Sequence, residues 1–378
     1  MKVAIFGGSF NPVHNEHINI VKEAIDSLCL DKVIIMPSNI TPSKSGRMSA
    51  SASDRLNMCR LAFEGVPKAV VCDYEISQSG ISYSYLTCRK FAEKYPSDER
   101  YWIVGGDMLE NFGQWKYPEE ILKCVTLAVC AREDGDRLKN AQSDFSERFG
   151  KRVEVFDYIG RAVSSTRIRA LSALGESIKG FVPPEIGKYI KYNSLYHIYG
   201  AEKVKKSLSP HRWKHTVGVA VMAAENCTKY NVSEKDAITA ALFHDSAKEL
   251  TFDSPLIAGC KIPADVPPPV VHQFTGAYLA EHIYGIKDNN ILNAIKDHCS
   301  GRENMSPLEK LIYLSDMLEE GRDFDGVQEL RNIFKNDRDN ALYCALKRQL
   351  NYLNSSGCTV YSLTQKAYDY LEEHKNDE

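Results

Sequence analysis

The chain has 378 residues, with 47 Lys and Arg against 50 Asp and Glu, a net charge of −3 and a 43% apolar share. That length holds two or three domains that can each bury a core, and the charge balance excludes a chain-wide basic attraction to nucleic-acid phosphates. Eleven cysteines, an odd number without CxxC pairs, argue against a disulfide framework and for a reducing, cytoplasmic setting.

Met1 runs directly into the strand-like Lys2-Val3-Ala4-Ile5-Phe6, so no secretory leader is expected. No apolar run reaches the roughly 18 residues of a membrane span. In chain order, residues 3–6, 32–36, 69–72, 101–104, 125–130 and 153–156 read as strands, with amphipathic helical patterns at 17–29, 53–65 and 84–95. Such alternation implies right-handed crossovers and a parallel sheet with helices on both faces. A last helical turn falls at 186–191. Beyond residue 195 strand signals almost vanish. Helical patterns follow at 213–230, 234–248, 274–284, 289–298, 306–319, 327–353 and 363–374, with a Pro-rich loop at 263–269. The expected architecture is an α/β domain over residues 1–196, then an all-α domain over 197–378.

Two strings carry phosphate chemistry. Gly7-Gly8-Ser9-Phe10-Asn11-Pro12-Val13-His14-Asn15-Glu16-His17 leads from a strand through a Gly-Gly loop to a helix opening near His17. Glycines let backbone N–H groups approach an anion, the helix start adds its dipole, and His14 and His17 can donate to phosphate oxygens. Taken alone, Gly7-Gly8 is equally an ordinary turn. The second string, Val163-Ser164-Ser165-Thr166-Arg167-Ile168-Arg169, reads as a strand end entering a helix. Ser164 and Ser165 are natural caps, and two arginines suit a triphosphate tail.

Together these strings resemble the HxGH nucleotidylyltransferase superfamily and its SSTxIR motif, which implies a Rossmann-like fold. Glu16 stands where that signature has glycine, so its carboxylate must point away from the phosphates or meet a cation. Three further segments resemble bacterial nicotinate-nucleotide adenylyltransferases: Gly105-Gly106-Asp107 with Trp115, Ser82-Tyr83-Ser84, and the loop 37–44 ending at Lys44, followed by Asp54-Arg55 and Met58. Singly, Trp115 reads as core, Lys44 as a solvated side chain and Asp107 as a helix cap. The resemblance implies transfer of AMP from ATP to nicotinate mononucleotide, with Mg²⁺. It implies catalytic roles for His14, His17, Lys44 and Arg167. ATP would meet Gly7, Gly8, Ser9, Phe10, His17, Gly105, Asp107, Ser164, Ser165, Thr166 and Arg167. The mononucleotide would meet Asn11, Lys44, Ser82, Tyr83, Ser84, Gly106, Trp115 and Arg132. The rival reading is another phosphate acceptor, such as phosphopantetheine.

The helical half holds eight of the ten histidines. His215 is expected to open a helix. His244-Asp245 follows the apolar run 240–243 and should lie deep, and Asp316 ends another apolar run. A buried His-Asp pair is costly without a partner, and a metal accepts imidazole and carboxylate together. This order resembles the HD phosphohydrolase superfamily, with His272 and His298 completing a second metal position. The strings around these residues look like bacterial HD-domain hydrolases that cleave diadenosine tetraphosphate symmetrically to two ADP. That resemblance implies two metal ions, iron by family, bridged by Asp245. It also implies catalytic roles for Asp245 and Lys248, and phosphate contacts from Lys248, Arg302 and Arg322. The rival readings are a general nucleotidase or phosphodiesterase, and a nucleotide-sensing regulatory module. No nucleic-acid or membrane partner is expected, and the chain could assemble as a homo-oligomer.

Overall fold

The computed structural model describes residues 1–40, 46, 48–131, 135–161 and 163–374. The chain divides into two compact units. The first comprises 1–45, 49–168 and 178–195. The second comprises 46–48, 169–177 and 196–378.

The first unit is built on six parallel strands: β1 (Lys2–Gly8), β2 (Lys32–Pro37), β3 (Ala69–Val71), β4 (Glu99–Gly105), β5 (Thr126–Ala131) and β6 (Glu154–Asp157). Their order is β3-β2-β1-β4-β5-β6. The crossovers carry α1 (Asn15–Ser27), α2 (Ala52–Phe63), α3 (Ser84–Lys94), α4 (Gly106–Glu110), α5 (Pro118–Cys124) and α6 (Gly135–Phe149). α7 (Ser165–Ala173) and α8 (Pro184–Tyr192) follow. Central strands are apolar throughout because both faces are covered: Val3, Ala4 and Ile5 are all buried. Val3 and Ile5 pack with Ile34, Trp102, Val104, Phe112 and Phe145 on one side of the sheet.

This strand order places a reversal of winding between β1 and β4. In open α/β sheets a crevice forms there, outside the carboxyl ends of the strands. The loops that leave those two ends are the Gly7-Gly8 and Gly105-Gly106 segments.

The second unit is helical: α9 (Ala201–Ser207), α10 (Pro210–Asn226), α11 (Glu234–Phe243), α12 (Val271–His282), α13 (Asn289–Lys296), α14 (Pro307–Leu318), α15 (Val327–Asn336), α16 (Arg338–Ser355) and α17 (Ser362–Glu373). Its core joins α10, α11, α13, α14 and α16 through Val219, Ala223, Leu242, Ile295, Leu311 and Leu342.

Two expectations need correction here. The pattern at 327–353 is not one helix. Asp337 is extended (φ −144°, ψ 104°) and its carboxylate accepts from Asn340 N, so it caps a second helix. The pattern at 234–248 ends as a helix at Phe243, which leaves His244 and Asp245 in the turn just beyond. Among the described residues no helix is long and apolar enough to cross a membrane. Among the described residues none of the eleven cysteines forms a disulfide.

Candidate functional site

The first site grows from the β1 loop. A Cβ on Gly7 would come within 2.8 Å of the Trp102 ring, so this glycine is demanded by strand packing as well as by the loop. Phe10 adopts a positive φ of 45° and is held there by burial. Asn11 Oδ1 accepts from Ala50 N at 3.0 Å. His14 caps α1, and its backbone N donates to His17 Nδ1 at 3.2 Å. The two imidazoles stack with ring centroids 3.7 Å apart. One residue per turn apart on a helix start, they form a single imidazole face.

The SSTxIR-like string comes to the same loop. Ser165 Oγ donates to Pro12 O at 3.0 Å, and Ser164 Oγ accepts from Arg167 N at 3.0 Å, capping α7. β6 ends at Asp157, so a loop rather than a strand end leads into this helix. The expected pair of phosphate arginines is also corrected. Arg169 is buried and makes a two-pronged ion pair with Glu234, at 2.7 and 2.6 Å, within the second unit. Residues two apart on a helix point about 200° apart, so Arg167 and Arg169 cannot share one phosphate.

Glu16 resolves the departure from the glycine signature. Its Oε2 accepts from Tyr158 OH at 2.7 Å and from Arg161 N at 3.0 Å. The carboxylate is buried against the 158–161 loop, where a Cβ on Gly160 would lie 2.3 Å from it.

Around the acceptor segments, Ser82 Oγ accepts from Asn39 N at 2.9 Å and Tyr83 caps α3. Lys116 Nζ lies 4.2 Å from the centroid of the Tyr83 ring. Gly105 caps α4, and a Cβ there would meet Asp107 Oδ1 at 2.6 Å. Trp115 is half-buried beside Phe112, ring centroids 5.3 Å apart. Lys44 and Arg132 lie outside the described residues. Sequence reasoning named Arg55 without giving it a role. Buried in α2, it donates to Ser9 O, Ser38 O and Asn39 O at 2.7, 2.7 and 2.8 Å, tying the β1 loop to the chain after β2.

The second site lies where α10, α14 and the chain after α11 and α13 meet. His215 sits in the second turn of α10 rather than at its opening. His244 and His298 follow the ends of α11 and α13 in the same way. Each donates Nδ1–H to the carbonyl three residues back, Ala241 O at 2.6 Å and Ile295 O at 2.7 Å. A carbonyl can only accept, so the proton is on Nδ1 and the Nε2 lone pair faces the cluster. His215 Nδ1 meets Glu319 Oε1 at 3.1 Å, which turns its Nε2 inward likewise.

Asp245 divides between two histidine pairs. Its Oδ1 faces His272 Nε2 at 3.2 Å and His298 Nε2 at 3.6 Å, and its Oδ2 faces His244 Nε2 at 3.7 Å and His215 Nε2 at 3.9 Å. His215 and His244 Nε2 are 3.4 Å apart, and Asp316 Oδ1 is 2.8 Å from His215 Nε2. Lone pairs and carboxylates thus converge, an arrangement that asks for cations. Burial pushes the His244 imidazole down to about 4, so it is neutral near pH 7 as a ligand must be.

Cations rim the cluster. Arg212 Nη1 donates to Asp245 Oδ2 at 2.9 Å. Lys248 Nζ lies 2.9 Å from His272 Nε2, and Arg322 pairs with Asp316. Arg302 differs from its expected phosphate role, since Glu309 takes its guanidinium in two bonds of 2.9 and 2.7 Å. Arg212 and Glu319 were not foreseen in these roles. Among the described residues, every group that could hold a metal lies in this unit.

Two family models match this chain. The family described as cytidylyltransferase-like matches residues 5–171, and the HD domain matches residues 212–321. A Mycoplasma genitalium protein named "Probable nicotinate-nucleotide adenylyltransferase/Ap4A hydrolase" is 29% identical over 85% of this chain and 88% of its own length. A Clostridium botulinum "Probable nicotinate-nucleotide adenylyltransferase" is 33% identical over 51% of this chain and 98% of its own length. A crystal structure from Clostridium acetobutylicum, described as a predicted HD superfamily hydrolase involved in NAD metabolism, is 32% identical. It covers 47% of this chain and 99% of its own, with a TM-score of 0.44. The chain belongs to the nicotinate-nucleotide adenylyltransferase family, with an HD domain joined to it.

Proposed function

We propose that the first unit transfers the adenylyl group of ATP to nicotinate mononucleotide, giving nicotinate adenine dinucleotide and pyrophosphate. The second hydrolyses diadenosine tetraphosphate symmetrically to two ADP. The two activities divide between residues 1–196 and 197–378. What supports the first reading is the stacked His14–His17 pair bonded into the same loop as Ser165, at the β1–β4 reversal.

In this reading a phosphate oxygen of the mononucleotide attacks the α-phosphorus of ATP in line. The bond to the β-phosphate oxygen breaks and pyrophosphate leaves. The attacking phosphate is already ionised, so the protein contributes position and charge stabilisation. His14 and His17 face the phosphates, with the N–H groups of the Gly8-Ser9-Phe10 loop. Ser164, Ser165, Thr166 and Arg167 receive the triphosphate tail at the start of α7. Asp107 and Gly105 lie with the adenosine. Trp115, Tyr83 and the backbone at Ser84 and Gly106 receive the pyridine ring and its carboxylate, and Lys44 and Arg132 are assigned to the mononucleotide in the same reading. Mg²⁺, in this reading, would offset phosphate charge.

What supports the second reading is Asp245, whose two oxygens serve two histidine pairs. His215, His244, Asp245 and Asp316 fit one metal ion, and Asp245, His272 and His298 fit another. Two ions held there, iron in this reading, would supply Lewis-acid polarisation of a phosphoryl oxygen and a more acidic attacking water. Lys248, Arg212 and Arg322 balance the polyphosphate charge, while Arg302 holds the cap of α14 through Glu309.

The test is paired. Pyrophosphate release is measured with nicotinate and with nicotinamide mononucleotide, and ADP release with diadenosine tetraphosphate. Faster reaction with the nicotinate form and ADP as sole nucleotide product are expected. A metal-free protein that binds the dinucleotide tightly without cleaving it would instead indicate a sensing module.

A further inference from the structure

We propose that Cys299 is a sulfur ligand of the metal position formed by Asp245, His272 and His298. This rests on the reading of the second unit as a metal site. Cys299 Sγ lies 3.2 Å from His272 Nε2 and 3.3 Å from His298 Nε2. Those two nitrogens are 3.2 Å apart, and both face Asp245 Oδ1, at 3.2 and 3.6 Å. For metal–nitrogen bonds of about 2.0–2.1 Å and a metal–sulfur bond of about 2.3 Å, the edges of a tetrahedral donor set are roughly 3.3–3.6 Å. Five of the six edges of such a set, all but the one from Cys299 Sγ to Asp245, fall close to that range.

Packing alone accounts poorly for this contact. A thiol is only a weak donor and a weak acceptor, whereas Sγ meets two ring nitrogens at once, each within 3.3 Å. The position of Cys299 is also built. Its carbonyl accepts from Gln349 Nε2 at 2.9 Å, and Gln349 Oε1 in turn accepts from Tyr313 OH. His298, the preceding residue, is locked by Ile295 O. Two imidazoles and a thiol are thus aimed at one point from α12 and the chain after α13.

The consequence is that the two metal positions differ. One offers His215, His244, Asp316 and a shared Asp245, all nitrogen and oxygen. The other adds sulfur, which favours thiophilic ions such as zinc, iron or cobalt over magnesium or manganese. Binding there takes the thiol to thiolate and releases its proton to solvent.

Cobalt(II) titrated into the metal-free full-length chain tests this. Two cobalt ions per chain are expected, with a near-ultraviolet sulfur-to-cobalt charge-transfer band that grows with one of them. Cys299→Ser should abolish the band while visible cobalt bands remain, and should weaken one of the two sites by about tenfold or more. Cys299→Ala, read by the same band, guards against a serine-specific folding defect. Two bound cobalt ions without the band in the parent chain would overturn the sulfur ligand and leave the metal site standing. So would a band that survives both substitutions. No cobalt binding at all would overturn both.

Discussion

The two sites handle charge with opposite equipment. The cradle at the β1–β4 reversal offers N–H groups, hydroxyls, imidazoles and an arginine, and the Glu16 carboxylate turns into Tyr158 and Arg161. The cluster in the helical unit points imidazole lone pairs and carboxylates inward and keeps its cations at the rim. In the proposed reading the first takes nucleotide phosphates, and the second takes metal ions before the polyphosphate. Histidine serves both, and its partners decide which. His14 and His17 stack on each other at a helix start. His244 and His298 give their Nδ1 protons to backbone carbonyls, leaving lone pairs for metal.

Breaking the shared element of the cluster should have the largest effect. Asp245→Ala should reduce ADP release from diadenosine tetraphosphate by about 10³-fold or more, with fewer than two metal ions per chain by metal analysis. Next is Arg169→Ala. The ion pair with Glu234 is buried on both sides, so removing the guanidinium leaves an uncompensated carboxylate and should cost about 3–5 kcal/mol. Urea denaturation would read this as a lower midpoint. A loss below about 1 kcal/mol would show that the carboxylate finds water or another partner. His17→Ala should slow pyrophosphate release by about 10²–10³-fold, with diadenosine tetraphosphate hydrolysis unchanged. The smallest effect is expected for Glu16→Gly, which restores the family's glycine. It should destabilise the first unit by about 1–3 kcal/mol, because Tyr158 OH and Arg161 N lose their acceptor. A more stable variant would mean that the carboxylate's burial outweighs its bonds.

The sequence made the strands legible because each buried parallel strand is a short apolar run, and residues 3–6 and 101–104 fall inside β1 and β4. The break at Asp337 was not legible. A lone Asp in a polar stretch reads as helix surface until its extended backbone and its bond to Asn340 N are seen. The motif residues of both sites could be named because they are contiguous strings or fall in a family order. Their supports were harder. Arg55 clamps three carbonyls far from it in sequence, and Glu319 orients His215 across 104 positions. No local pattern announces such contacts. The misreading of Arg169 was avoidable, since helical spacing separates it from Arg167. Cys299 carried a signal too, a thiol directly after a candidate metal histidine.

A crossed assay tests the central contrast most directly. His14→Ala and His244→Ala are each measured, in excess Mg²⁺, for pyrophosphate release from ATP with nicotinate mononucleotide and for ADP release from diadenosine tetraphosphate. The account predicts that His14→Ala loses only the first reaction and His244→Ala only the second. Loss of both reactions in either variant, or full hydrolysis by His244→Ala, would contradict it.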